Sequence, residues 1–155
     1  MKKTAATIII AFALISGAMA QSTYNRAIGL KAGGGISITY KKFLSANNNL
    51  EAQTTLWNKG FRVSGLYEFN FYHFSKVQGL SIFAGPGAHI GFWKSQYQKD
   101  YNSKAEFGVD GIIGLDYKFK DLPVNASLDW QPAVTVVGDA GFSPSFGGIA
   151  VRYTF

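Results

Sequence analysis

The chain has 155 residues, no cysteine and a formal net charge of +6 at pH 7. The lack of cysteine excludes a disulfide framework, thiolate chemistry and a lipid-anchored cysteine, and the small, dispersed charge excess does not favour nucleic-acid binding. The mean hydropathy of +0.05 is far lower than that of a helical membrane protein, but it is typical of a barrel whose strands alternate apolar and polar residues.

The first 20 residues have the pattern of a secretory signal peptide. Lys2 and Lys3 precede an apolar run over residues 5–15, and Ala18-Met19-Ala20 is a small-x-small cleavage site before Gln21. A transmembrane anchor is the weaker alternative, because the run is shorter than the roughly 20 residues that a spanning helix needs. We therefore assign residues 1–20 to a cleavable signal peptide and residues 21–155 to a single domain.

Eight segments of this domain have the alternation and composition of β-strands. Most of them reach the roughly 9–11 residues with which a tilted strand crosses a bilayer. The predicted strands cover residues 27–33, 36–43, 50–57, 61–72, 80–93, 105–119, 124–137 and 147–155.

The connections between these strands divide into two groups. An even strand number places both chain ends on one side, which is the periplasmic side in single-chain bacterial barrels. We therefore expect periplasmic turns at Asn47, Ser75 and Asp121. Extracellular connections are expected at residues 34, 58, 95–104 and 138–145.

The strands carry two faces of opposite character. In the fourth strand Phe61, Val63 and Phe69 share one face, and Arg62 and Glu68 share the other. The polar faces are rich in glycine and small residues, which suit the narrow interior of an eight-stranded barrel. Bulky aromatic residues lie near the strand ends on the apolar face, as in the girdles of membrane barrels, namely Tyr40, Phe61, Phe71, Phe92, Tyr117, Phe119, Tyr153 and Phe155.

This pattern predicts a transmembrane barrel with its apolar face in the lipid. A soluble β-sandwich or a lipocalin-like barrel, whose apolar face points inward, has the same alternation and is the alternative. The size and placement of the aromatic residues favour the membrane barrel.

The last ten residues have the pattern of a closing barrel strand, because Ile149, Val151, Tyr153 and Phe155 fall on one face and the chain stops at an aromatic residue. With the signal peptide and the eight strands, this ending resembles the small outer-membrane β-barrel family, the OmpA/OmpX-like proteins. Residues 65–68, 87–93, 111–118 and 127–130 also look like segments of members of that family.

The resemblance implies an all-β, up-and-down antiparallel transmembrane barrel of eight strands in the outer membrane of a Gram-negative cell. Tyr153 and Phe155 resemble the signal that the barrel assembly machinery reads. The connections are shorter than the long protruding strands of OmpX-like adhesins. The resemblance leaves the function open, since this fold hosts structural, adhesive and enzymatic members.

If the polar faces form the lumen, they bring charges of both signs together in a narrow space. Such charges should pair, because an unpaired buried charge is costly. We therefore predict an ion-pair network that fills and stiffens the barrel, with a small pore or proton path as the alternative. Its predicted members are Lys31, Glu51, Arg62, Glu68, His89, Glu106, Asp110, Asp116, Asp129 and Arg152.

His73 and Ser75 suggest a catalytic alternative. Outer-membrane lipid A deacylases are eight-stranded barrels that use a His and a Ser two residues apart with an acidic partner, so that the imidazole can activate the hydroxyl. In that family the pair lies on a strand near the C-terminus, whereas here it lies at the predicted periplasmic end of the fourth strand. An interfacial or turn position for His73 is the favoured interpretation.

The connection over residues 95–104 is basic and contains tyrosine. A loop of this composition could contact the phosphates of lipopolysaccharide, and an ordinary solvated loop is the alternative. The candidate contact residues are Lys94, Tyr97, Lys99, Tyr101 and Lys104.

These observations favour a non-catalytic outer-membrane barrel with a structural or surface-interaction role in the cell envelope. The expected partners are outer-membrane lipids, lipopolysaccharide and the assembly machinery, with no nucleic acid, and we expect a monomer. No spacing suggests a metal site or a cofactor. The alternatives are a deacylase-like enzyme that uses His73 and Ser75, and a soluble periplasmic lipid-binding β-barrel.

Overall fold

The computed structural model describes residues 24–74, 77–94, 104–138 and 140–155, and every regular element in these ranges is a β-strand. No helix in these ranges could span a membrane. The strands are β1 (Arg26–Gly33), β2 (Ile36–Phe43), β3 (Asn48–Trp57), β4 (Gly60–His73), β5 (Leu80–Trp93), β6 (Ala105–Lys118), β7 (Val124–Trp130), β8 (Ala133–Val137), β9 (Gly141–Ser143) and β10 (Gly148–Thr154).

The strands form one antiparallel sheet that closes on itself. Each strand from β1 to β6 pairs with the next, and β6 pairs in turn with β7 and β8. The ring closes where β1 pairs with β10, from Ala27 opposite Thr154 to Gly33 opposite Gly148. Because β7 and β8 together make the seventh strand and β9 and β10 make the eighth, the predicted closed barrel of eight strands is confirmed.

The predicted seventh strand over residues 124–137 is not continuous. Gln131 and Pro132 separate β7 from β8, because proline has no N–H to donate to a neighbouring strand. The Pro132 carbonyl still accepts a hydrogen bond of 2.9 Å from the Gly111 N–H, so β6 stays attached across the break.

The connection expected over residues 138–145 also differs from the prediction. It contains β9, which pairs with β8 so that Ser143 lies opposite Ala133. Gly138 permits this hairpin, since its φ of 102° is a conformation that other residues rarely adopt. The eighth strand is therefore divided, and its main part covers Gly148–Thr154 rather than residues 147–155.

The two faces of the barrel wall have opposite polarity. Along β4, Arg62, Ser64 and Glu68 are at most 2% exposed, whereas Phe61 and Phe69 are 41% and 45% exposed. The same alternation recurs in the burial pattern of β1, β2 and β3. Polar side chains therefore fill the inside, and large apolar side chains cover the outside.

The barrel has two rims. The terminal rim holds residues 24–25, 44–47, 119–123 and 155, and the loop rim holds residues 34–35, 58–59, 94, 104, 138 and 144–147. Hydrogen bonds between the Arg26 and Phe155 backbones, at 2.9 and 3.0 Å, join the start of β1 to residue 155 at the terminal rim.

Close contact between β1 and β10 yields a test of barrel closure. A Cβ atom at Gly29 would overlap the carbonyl oxygen of Val151, whereas a Cβ atom at Gly65, on β4, would meet no atom within 4 Å. We expect Gly29→Ala to lower the free energy of unfolding by about 1–3 kcal/mol, as overpacking does. Gly65→Ala is the matched control and should stay close to the parent in urea unfolding of the refolded protein. Equal effects of the two substitutions would contradict the close contact between β1 and β10 at Gly29.

Candidate functional site in the barrel interior

A buried cluster around Lys41 lies toward the terminal rim. The Lys41 Nζ atom is 2.9 Å from a Glu68 carboxylate oxygen and 3.3 Å from oxygens of both Glu51 and Asp116. These four residues come from β2, β3, β4 and β6, and the Lys41 side chain is fully buried. One ammonium group thus holds together carboxylates from three other strands.

Arg152 extends this cluster to the closing strand. Its guanidinium donates to Glu51 Oε1 at 2.6 Å, to Ser127 Oγ at 2.7 Å and to Thr39 Oγ1 at 2.9 Å. Since Glu51 accepts from Arg152 and also contacts Lys41, the two cations belong to one network. The network joins β10 to β2, β3 and β7 by side chains, in addition to the backbone pairing.

Tyr24 closes the interior at the terminal rim. Its side chain is buried and packs edge-to-face on Phe43, with ring centroids 5.0 Å apart. Burial raises the pKa of the Tyr24 hydroxyl far above its ordinary value, and the negative charge of Asp116 raises it further. The Tyr24 hydroxyl therefore stays protonated, and the uncharged side chain covers the charged cluster at the terminal rim.

A separate ion pair lies between β1 and β7. Lys31 donates to Asp129 Oδ1 at 2.5 Å and to Gln131 Oε1 at 3.2 Å. Gln131 is one of the two residues at the break between β7 and β8. The interrupted strand is therefore held to β1 by a buried side-chain contact.

Asp110 organises the part of the interior nearer the loop rim. The Arg62 guanidinium pairs with Asp110 Oδ1, and His89 Nδ1 is 2.9 Å from the same oxygen. The Arg62 guanidinium carbon also lies 3.8 Å from the centroid of the Phe146 ring. This arrangement shields the positive charge of Arg62 with a carboxylate and an aromatic ring.

A small apolar layer completes the interior. Leu66, Phe83 and Ile112 form a buried apolar cluster, and the Lys41 ammonium lies 4.6 Å from the centroid of the Phe83 ring. Among the described residues, six carboxyl groups and four Lys or Arg side chains are buried. No group of three or more His, Cys, Asp or Glu residues in these ranges could hold a metal ion.

The structure buries the side chains of all ten residues that the sequence analysis placed in the lumen. The sequence analysis missed Lys41, which lies at the centre of the network. The signal for it was present, because Ser37, Thr39 and Lys41 alternate with apolar residues in the second strand. The adjacent Lys42, which is exposed, obscured the difference between the two lysines.

The other predicted site residues lie at the rims or outside the described ranges. Lys94 and Lys104 are exposed at the loop rim, and Lys94 Nζ donates to the Asn58 carbonyl oxygen at 2.9 Å. The rings of Tyr153 and Phe155 stack at the terminal rim with centroids 6.2 Å apart. The residues that fall outside the described ranges are Ser75, Tyr97, Lys99, Tyr101 and the whole predicted signal peptide.

The possible catalytic pair of His73 and Ser75 also stays a prediction. His73 ends β4, but Ser75 lies outside the described residues. The structure therefore provides no geometry with which to judge nucleophilic chemistry at this position.

Comparisons with known proteins identify the fold. No protein-family model matches the chain, and a search of curated proteins gives no match. Four solved chains match it in structure. One is the N-terminal β-barrel domain of Pseudomonas aeruginosa OprF, with a TM-score of 0.60, 15% identity, and coverage of 85% of this chain and 98% of that chain. At this identity the likeness shows the fold alone, and it confirms the predicted antiparallel barrel of eight strands, which is the fold of the OmpA/OmpX-like barrels.

The Lys41 cluster can be tested by removing its cation. Lys41→Met leaves three carboxylates without their shared partner, so we expect unfolding to require about 3–5 kcal/mol less free energy. Lys42→Met is the matched control, because the neighbouring lysine is exposed and should change stability by only about 0.5 kcal/mol or less. Denaturant titration of the refolded proteins measures both. Adding Glu68→Gln to Lys41→Met should restore part of the loss, and similar stabilities of the two single variants would refute a central role for Lys41.

Proposed function

We propose that the protein is an integral outer-membrane β-barrel with a side-chain-filled interior, which serves a structural or surface-interaction role in the cell envelope without catalysis. The observation that carries this proposal is the inverted polarity of the wall. Large apolar side chains such as Leu30, Ile149 and Val151 are 55–61% exposed, whereas Lys31 and Arg152 beside them are at most 2% exposed.

A bilayer is the environment that fits this distribution. Monomeric soluble proteins rarely expose apolar patches larger than a few hundred Å², and here apolar residues cover the outer face of strands all around the barrel. A soluble lipid-binding barrel needs the opposite arrangement, with an apolar cavity inside. The buried ion pairs of Lys41, Arg62 and Arg152 leave no such cavity in the described interior, which favours the membrane barrel over this alternative.

The interior supports a barrel that solutes do not cross. Eight strands leave a space that side chains can fill, and the described lumen contains the ion pairs Lys31–Asp129, Lys41–Glu68 and Arg62–Asp110. Breaking such pairs to open a path is costly. We therefore infer that the interior stiffens the barrel.

The rims suggest how this barrel meets its surroundings. Lys94 and Lys104 are exposed at the loop rim, where they could pair with lipopolysaccharide phosphates if that rim faces outward. The stacked Tyr153 and Phe155 end the closing strand at the other rim, where the assembly machinery would find them during biogenesis. We expect the assembled barrel to be a monomer.

Membrane fractionation followed by electrophoresis tests the proposal directly. A folded barrel should be extracted by detergent alone and should migrate differently before and after boiling. Liposomes that contain it should exclude small sugars in a swelling assay. Release without detergent would overturn the membrane assignment, and rapid swelling would overturn the closed interior while leaving the membrane assignment intact.

A charge on the outer face separates the membrane barrel from a soluble one. Leu30 is 60% exposed in the middle of β1, so Leu30→Arg would be harmless in a soluble protein. In a bilayer it should cost about 2–4 kcal/mol of folding free energy. Leu122→Arg is the matched control, because Leu122 is 56% exposed but lies outside the strands. Folding titrations in lipid vesicles measure both, and equal stabilities would contradict a lipid-facing wall.

A further inference from the structure

An open cup lies at the loop rim, above the ion pairs of the interior. Its volume is about 270 Å³, which is enough for a small organic molecule. Five strands (β3, β5, β6, β8 and β9) and the segment before β10 contribute to its wall. The residues on which the argument depends are Trp57, Trp93, Phe146, Glu106, Thr135 and Ser143.

Aromatic rings form the sides of this cup. Trp57 lies edge-to-face against Trp93, with centroids 5.8 Å apart and an interplanar angle of 89°, and against Phe146, at 6.2 Å and 73°. Rings at such steep angles enclose a space from several directions, unlike the single flat platform on which a sugar ring stacks. Enclosing aromatic walls are the arrangement that recognises quaternary ammonium groups, because each ring face attracts positive charge.

A carboxylate adds negative charge to the same cup. Glu106 is 7% exposed, and Gly91 makes room for it, since a Cβ atom at Gly91 would lie 2.5 Å from Glu106 Oε1. The interior below also contains more carboxylates than Lys and Arg side chains among the described residues. Glu106 therefore gives the cup a carboxyl group with which a cation can interact.

The Arg62 guanidinium lies against the Phe146 ring of this cup, and it is paired with a carboxylate. It pairs with Asp110, and its guanidinium lies 3.8 Å from the centroid of the Phe146 ring. The protein therefore already places one cation against an aromatic ring of the cup. The Arg62–Asp110 pair limits the repulsion that a second cation would meet.

We propose that this cup binds a small organic cation with an alkylated ammonium group, held by Trp57, Trp93 and Phe146 and attracted by Glu106. The proposal goes beyond the envelope role proposed above. It requires only the folded barrel, so it holds or fails independently of where the barrel lies in the cell.

Tryptophan fluorescence can report on the cup selectively. The chain has three tryptophans, and the third, Trp130, lies on the outer face, where its Nε1 donates to the Pro144 carbonyl oxygen at 2.9 Å. In Trp130→Phe, all tryptophan emission therefore comes from Trp57 and Trp93. This variant, refolded in neutral detergent and checked by its gel shift on boiling, is titrated with choline. Its neutral isostere 3,3-dimethylbutan-1-ol and sodium chloride are titrated as references.

Choline is expected to change the emission saturably at millimolar concentration, whereas the neutral alcohol and sodium chloride should not. Adding Glu106→Gln should weaken choline binding about tenfold or more, as expected when a charge is lost from an aromatic site. Adding Thr135→Val, which changes the same wall without changing its charge, should alter binding much less.

Three outcomes would overturn the proposal. They are no saturable response to choline, an equal response to the neutral alcohol, and unchanged choline binding in folded Glu106→Gln. If Glu106→Gln does not refold, Phe146→Leu replaces it, because loss of one aromatic wall should also weaken choline binding. Unchanged binding in that variant would equally refute the assignment.

Discussion

The pairing of β1 with β10 is the constraint on which the rest of the structure depends. It closes the sheet and leaves none of the described barrel strands with a long free edge. The membrane location that we propose requires such closure, because lipid offers no hydrogen bonds to a backbone. Closure at eight strands makes the interior narrow. Polar side chains that point inward must therefore contact one another, and their charges must pair within a few ångströms.

The seam, where β1 pairs with β10, is supported by side-chain contacts as well as by backbone hydrogen bonds. Arg152 lies on the closing strand, and its guanidinium reaches Thr39 on β2 and Glu51 on β3, both of which lie beyond β1. Lys31 on β1 reaches Asp129 on β7, across the closing strand in the other direction. The buried network therefore clamps β10 from both sides. Because Glu51 also contacts Lys41, the contacts of Arg152 are continuous with the Lys41 cluster.

Most of this architecture follows from the period of two in the sequence, which separates Arg62 and Glu68 from Phe61 and Phe69. Periodicity says which face a residue occupies, but it does not say which residues from distant strands meet. Lys41 shows this limit, since its three carboxylate partners come from three other strands. The break at Pro132 was also missed. The alternation of apolar residues continues on both sides of it, but proline has no N–H to donate to a neighbouring strand.

The same break explains why the two ends of the interior differ. At the terminal rim Tyr24 covers the charged cluster, and β1 stays paired with β10 as far as Ala27 and Thr154. At the loop rim β8 leaves the line of β7 and pairs with β9 instead of β10, so the seventh and eighth strands extend as a hairpin. This hairpin supplies Thr135 and Ser143 to the wall of the aromatic cup, while Phe146 enters from the segment between β9 and β10. The proline that interrupts the barrel wall thus helps to build the cup, and the network below supports it.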